Sequence, residues 1–246
     1  MSDLPVRRSA SLFAALALLV FPGASHGAVS AYTSQSSFLA ATAGDLQPQT
    51  VNFDNLPALT LFPSGSGTGG LTFSYALSGT PVPTLQVDTG FSTTSGSNYL
   101  GLNNGNGAFY TGTQDGFTIQ FNHPVNAVGL YVIAGGGVAA GDFTLTLAQG
   151  SVSNSGVPDV VFADGSTAFY LGLVSSGSNA SFSSATLSSG TPTSQFYAFN
   201  VDDISSAVSP VPEPASVWLM VLGLGLLSRL YAGRPKLPHL RRSSPP

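Results

Sequence analysis

The chain has 246 residues, 43% of them apolar but only 7% charged, against roughly 25% in an average soluble domain. All seven basic residues, Arg7, Arg8, Arg229, Arg234, Lys236, Arg241 and Arg242, lie near the two ends. Residues 28–210 therefore carry nine Asp, no Lys, Arg, Glu or Cys, and one histidine, His123. Such a segment cannot neutralise phosphates as nucleic-acid binders do, so no nucleic-acid partner is expected. It offers no thiolate, disulfide or Cys-based metal chemistry, and one histidine cannot build a multi-histidine site. Neither a phosphate-binding Gly-rich loop, a dinucleotide fingerprint nor a Gly-x-Ser-x-Gly nucleophile elbow is present.

In chain order, residues 1–27 read first as a secretory signal peptide. Arg7-Arg8 supply the positive start, Ala10 to Phe21 an apolar run, and Pro22-Gly23 a helix break. Cleavage after Gly27 places the small residues Ser25 and Gly27 at the −3 and −1 positions. The alternative is an uncleaved anchor helix. A short helix is expected from Ser34 to Ala43, with Phe38 and Leu39 as its apolar face. Strands are expected over 50–54, 71–76, 84–87, 99–102, 116–121, 125–133, 143–148, 160–162, 168–174, 181–187 and 196–204. The clearest signals are Phe117-Thr118-Ile119-Gln120-Phe121 and Phe143-Thr144-Leu145-Thr146-Leu147, each with three apolar side chains on one face. The Gly/Ser/Thr run from Gly65 to Gly70 reads as a turn. So does Asn122-His123-Pro124, because Pro124 restricts the residue before it. Many short strands separated by Gly, Asn and Ser predict an all-β fold: an antiparallel β-sandwich or jelly-roll-like domain over residues 28–209. Thr and Ser fill the solvent faces where Lys and Glu would ordinarily sit.

Three sets of residues are candidates for chemistry. Asn52, Asp54, Asp202 and Asp203 bring hard oxygen ligands from an early and a late strand, the chemistry of a structural Ca²⁺ site; no other cofactor is expected. The competing reading is solvated or turn-capping Asp. Tyr110, in the loop Asn103-Asn104-Gly105-Asn106-Gly107-Ala108-Phe109-Tyr110, is the aromatic best placed to stack on a sugar ring. A hydrolase using Asp residues is the remaining alternative. Glycosidase chemistry needs two carboxylates at a defined separation, and nothing in the spacing supplies it, so no catalytic residue is assigned.

The C-terminal segment has three parts. Val211-Pro212-Glu213-Pro214 is a stiff extended peptide, Val217 to Leu227 is wholly apolar or Gly, and a basic tail follows from Arg229. From Ala215 to Ser228 a helix would reach about 21 Å at about 1.5 Å per residue, short of a bilayer core of about 30 Å. Extending it to Gly233, with Arg229 snorkelling, makes a single transmembrane helix whose basic end stays in the cytoplasm.

This order of parts resembles the PEP-CTERM sorting signal of exported proteins in bacteria that make exopolysaccharide or biofilm. The resemblance implies recognition at Val211, Pro212, Glu213 and Pro214 by an exosortase, after export and removal of residues 1–27 by signal peptidase. It also implies inner-membrane anchoring through residues 210–246 before processing, and then release to the cell surface or outside. The tail departs from the family by running 17 residues past Arg229. The central domain, with Asn52-Phe53-Asp54-Asn55-Leu56-Pro57 early and Phe199-Asn200-Val201-Asp202-Asp203-Ile204 late, is loosely similar to lectin-like and carbohydrate-binding jelly rolls. The expectation is a non-enzymatic surface or matrix protein associated with exopolysaccharide. A carbohydrate-binding module and the Asp-based hydrolase stand as alternatives.

Overall fold

Alternating apolar and polar residues give a strand one dry face, and two sheets with dry faces bury them against each other. A computed structural model of the chain describes residues 28–208, except 44–46, 78, 80, 112–114, 177–179 and 191–195, together with Met220 and Leu224. The expected signal peptide over 1–27 and nearly all of the expected sorting and membrane segment over 210–246 lie outside the described residues.

The elements are β1 (Ala28–Tyr32), α1 (Gln35–Thr42), β2 (Gln47–Val51), β3 (Leu61–Phe62), β4 (Ser66–Thr68), β5 (Leu71–Ser74), β6 (Leu85–Asp88), β7 (Tyr99–Leu102), β8 (Phe109–Tyr110), β9 (Gly116–Val125), β10 (Ala127–Ala134), β11 (Phe143–Leu147), β12 (Gly150–Ser153), β13 (Val160–Val161), β14 (Thr167–Ser176), β15 (Phe182–Ser189) and β16 (Ala198–Val208). The larger sheet has the order β1-β14-β10-β16-β7-β6-β3, with β13 joined to β14, and β2 and β8 joined to β16. The smaller sheet runs β12-β11-β15-β9-β5-β4. Each pairing between described strands is antiparallel. The fold is all-β with one short helix, a two-sheet antiparallel sandwich.

The two alternating runs behave as their periodicity requires. Phe117, Ile119 and Phe121 from β9 and Phe143, Leu145 and Leu147 from β11 enter one core with Leu130, Leu171 and Val201 of the opposing sheet. The larger sheet differs because its outer face is also covered. All eight residues of β10 are buried, with Tyr131 and Ile133 in a second cluster beside Phe38, Ala168 and Tyr170. Helix α1 supplies that cover. Ser34 Oγ accepts from Ser37 N at its start (3.4 Å), and Phe38 lies against Tyr170 with ring centroids 5.4 Å apart. A Cβ at Gly172 would come within 2.7 Å of the Phe38 ring, so glycine there lets the helix approach. Leu39, expected to share this face, is 42% exposed: adjacent helical residues diverge by about 100°, and the sheet takes Phe38.

Other differences also have local causes. The strand expected over 50–54 is β2 and ends at Val51, because Phe53 adopts a positive φ of 62°. Asn122-His123-Pro124 lies inside β9 as an excursion unpaired with β15, between Gln120↔Ser184 and Val125↔Phe182, with Asn122 N donating to Gly70 O at 3.0 Å, and the link to β10 falls at Asn126. The Gly65–Gly70 turn contains β4, whose Ser66 pairs with Phe73. Strands β1, β3, β8 and β12 are too short or too rich in small residues to show a period.

Candidate functional site

The Asp202-Asp203 pair sits on a β-bulge. Across β10 and β16, Gly129 faces Ser205 and Tyr131 faces Asp202, leaving Asp203 and Ile204 opposite Leu130 alone. Asp203 takes φ 50°, a left-handed conformation that Asp tolerates better than most residues. The extra residue resets the alternation, so both Val201 and Ile204 enter the core. Without it the Asp203 carboxylate would occupy the place of Ile204.

Asp202 is fully buried. Its Oδ2 accepts from Thr94 N (2.9 Å), Thr94 Oγ1 (3.0 Å) and Ser95 N (3.1 Å). Its Oδ1 accepts from Asp203 N at 2.8 Å. Asp54 grips the next residues of the same loop, Oδ1 accepting from Ser97 N (2.8 Å) and Asn98 N (3.1 Å). Asn52 Oδ1 in turn accepts from Asp54 N at 3.3 Å, and Asn98 Nδ2 donates to Leu56 O at 2.8 Å. A Cβ at Gly96 (φ 40°) would collide with the Asp54 carboxylate. Two of the four proposed calcium ligands, Asp54 and Asp202, thus converge on the β6–β7 loop and clamp it, with Asn52 bracing Asp54.

The donor chemistry at Asp202 does not fit a cation. Both of its oxygens, and Asp54 Oδ1, face N–H or O–H groups, whose positive ends occupy the places a Ca²⁺ would need. Among the described residues no group of three or more His, Asp or Glu side chains is arranged to hold a metal. Backbone amides do the work that Lys and Arg would do elsewhere. Burial, and then the neighbouring Asp203 charge, push the Asp202 carboxyl up to about 7, against the opposing pull of its hydrogen bonds. A second Asp ties the helix down: Asp159 Oδ2 accepts from Tyr131 Oη (2.7 Å) and Gln35 N (3.0 Å). Burial and that hydrogen bond hold the Tyr131 phenol well above its ordinary range.

Tyr110 lies on β8, paired with Ala198, where a loop was expected. It is half-buried. Phe196 stacks on its ring at 5.1 Å, and its hydroxyl accepts from Asn106 Nδ2 at 2.5 Å.

The smaller sheet presents a different kind of surface. Registers align Ser74, Thr118, Thr186, Thr146 and Ser151 in one row across five neighbouring strands. With strands about 4.8 Å apart, that row offers a hydroxyl at each step. Thr72, Gln120 and Ser184 form a second row; Ser188, Thr144 and Ser153 form a third. Thr118 Oγ1 and Thr186 Oγ1 are 2.9 Å apart, and Thr144 Oγ1 and Ser153 Oγ 2.8 Å. These side chains are exposed or half-buried, and none of the six strands contains Asp, Glu, Lys or Arg.

Residues 210–236 match the PEP-CTERM protein-sorting motif. The chain therefore carries the signal of an exported, exosortase-processed protein, sorted through a membrane-anchored stage, and its exported part is β-rich. Val211, Pro212, Glu213 and Pro214 fall within the match and outside the described residues. Among the described residues no helix is long and apolar enough to cross a membrane. No curated protein matches the chain.

Proposed function

We propose that the protein is a non-catalytic, jelly-roll-like surface or matrix component that associates with exopolysaccharide once its sorting segment has been processed. The observation that carries this reading is the uncharged hydroxyl face of the smaller sheet. Neutral polysaccharides hydrogen-bond through hydroxyls and repay little for charge, and the three rows of Ser, Thr and Gln match that chemistry. Three of the carboxylates serve the fold: Asp54 and Asp202 hold a loop and Asp159 holds the helix. Residues 1–27 act as a signal peptide removed by signal peptidase, a reading supported by the Arg7-Arg8 start, the apolar run from Ala10 to Phe21 and the small residues Ser25 and Gly27. Residues 215–233 anchor the precursor in the inner membrane until exosortase acts at Val211–Pro214.

Co-sedimentation of the full chain with exopolysaccharide purified from the cells that export it tests this reading. The protein should pellet with the polymer at both low and high salt, since no ion pair is involved. Thr118→Ala/Thr146→Ala/Thr186→Ala should reduce the bound fraction severalfold with the protein still folded by circular dichroism. Protein left in the supernatant, or binding indifferent to those three changes, overturns it.

A further inference from the structure

A half-open cavity of about 190 Å³ lies on the outer face of the larger sheet, on the side away from the hydroxyl rows. Ile133 of β10 and Asn200 of β16, paired across the sheet, lie on its floor. Phe91 and Ser92, from the β6–β7 loop, and Asp164 and Ser166, from the turn between β13 and β14, form its walls. Ser92 Oγ donates to Asp164 Oδ2 at 2.7 Å and joins the two walls. On the other oxygen, Asp164 Oδ1 accepts from Ser166 N (2.9 Å) and Ser166 Oγ (2.6 Å).

Three features give this cavity the character of a ligand site. The first is a buried polar group without a partner. Asn200 is 2% exposed, and its Oδ1 has no hydrogen-bond partner among the described residues; buried amides ordinarily have one. The second is a fixed acceptor at the rim. Hydrogen bonds from Ser166 and Ser92 hold the Asp164 carboxyl down to about 2, so it is ionised at any ordinary pH. A carboxylate has about four acceptor sites, which leaves Asp164 room for a further hydroxyl, and no basic residue lies anywhere in residues 28–210 to take it. The third is an open aromatic face. Phe91 is 51% exposed, although its ring is steadied by Tyr99 at 5.9 Å.

An apolar ring, an ionised acceptor and an amide converging on one small cavity match the two sides of a pyranose: a C–H face for the ring and hydroxyls for the polar groups. The cavity is smaller than the roughly 300–1,000 Å³ typical of drug-sized ligands, so it takes one ring and not several. We propose that this cavity is a subsite for a single neutral sugar residue, with Asp164 accepting from its hydroxyls, Phe91 against its C–H face and Asn200 at its floor. The proposal deepens the exopolysaccharide reading and rests on it for the ligand class. It also separates the two surfaces, with the hydroxyl face gripping polymer broadly and the cavity selecting one residue. Uronic acids are disfavoured because their carboxylate would meet Asp164 in a domain of uniformly negative side chains.

Saturation-transfer NMR of the full chain, in micelles of a detergent without a sugar headgroup, tests it with methyl glycosides of glucose, galactose, mannose, glucosamine and glucuronic acid. At least one neutral glycoside should bind, and bind better than the glucuronide. Asp164→Asn should weaken it at least tenfold and Phe91→Ala severalfold. Both side chains are exposed, so each variant should stay folded by circular dichroism, with Asp164→Asn melting a little below the parent protein. Thr118→Ala/Thr146→Ala/Thr186→Ala should leave glycoside binding unchanged. No transfer to any neutral glycoside, a preference for the uronate over the neutral glycosides, or indifference to both rim variants overturns the subsite. Polymer co-sedimentation that persists alongside such a failure leaves the matrix reading standing. Glycoside binding without co-sedimentation does the reverse.

Discussion

Asp202→Asn should reverse its effect on stability between acid and neutral pH. In the folded protein the Asp202 carboxyl titrates near 7 because of burial and then the Asp203 charge, against an ordinary value of 3.8. Between those two values the folded state holds a proton that the unfolded chain releases. The resulting stabilisation is complete below about 3.8 and is lost as pH rises to about 7, with a span on the order of 4 kcal/mol. For a domain of this size that is about 10 °C in melting temperature. Asparagine cannot titrate, so its curve should lack this slope. It can still present a carbonyl oxygen to Thr94 N and Ser95 N, but its NH₂ then faces Asp203 N, and losing that hydrogen bond costs about 1–2 kcal/mol. The variant should therefore be less stable than wild type at pH 4 and at least as stable at pH 8. Thermal melts of both proteins from pH 4 to 8 read this directly. Asp164 leaves that range clear, because its lowered value puts its own loss of stability between about 4 and 2. Parallel curves for the two proteins across pH 4–8 would refute the reasoning.

Two further outcomes follow from the same packing. Tyr170 Oη is buried without a hydrogen-bond partner among the described residues, so Tyr170→Phe should raise stability by about 1 kcal/mol, measured by urea unfolding; a loss would mean that the hydroxyl is bonded. Because Asp54 Oδ1 and both oxygens of Asp202 already serve N–H donors, excess Ca²⁺ and EDTA should give melting temperatures within about 1 °C of each other, and a rise of several degrees with Ca²⁺ would show a site formed elsewhere.

What could be read in the sequence was whatever repeats with the period of a strand. Phe117 to Phe121 and Phe143 to Leu147 announced an inner and an outer face, and the sheets keep both. The oxygen chemistry of Asn52, Asp54, Asp202 and Asp203 was legible as early and late acceptors with no cation to pair with, but their meeting around one loop was not, because the donors are the backbone amides of residues 94–98, and every residue has one. The bulge at Asp203 depends on register with β10, a long-range fact. The cavity was invisible for the same reason: Phe91, Asp164 and Asn200 belong to three separate segments and meet only when β16 lies beside β10. Asn200 stood in plain view between Phe199 and Val201, and only its depth on the outer face gives it meaning.

The acidic composition and the cavity are connected through one loop. Asp202 fixes Thr94 and Ser95, and Asp54 fixes Ser97 and Asn98. Phe91 and Ser92 precede these anchors by only a few residues, so the clamp limits where the cavity wall can stand. A loop rich in Ser, Thr and Gly would otherwise pay heavily in entropy to order itself around a ligand. Asp202 is thus a positioning residue for the proposed subsite, touching no part of it. If so, Asp202→Ala, which releases Thr94 and Ser95, should weaken the best neutral glycoside severalfold, with the protein still folded by circular dichroism. Asp202→Asn, which keeps an acceptor there, should largely preserve binding. Equal binding by the alanine variant and wild type would mean that the wall is held by Ser92 and Asp164 alone. The nine Asp of a domain without a cation would then be a tolerated burden, and the loop clamp would have no bearing on ligand binding.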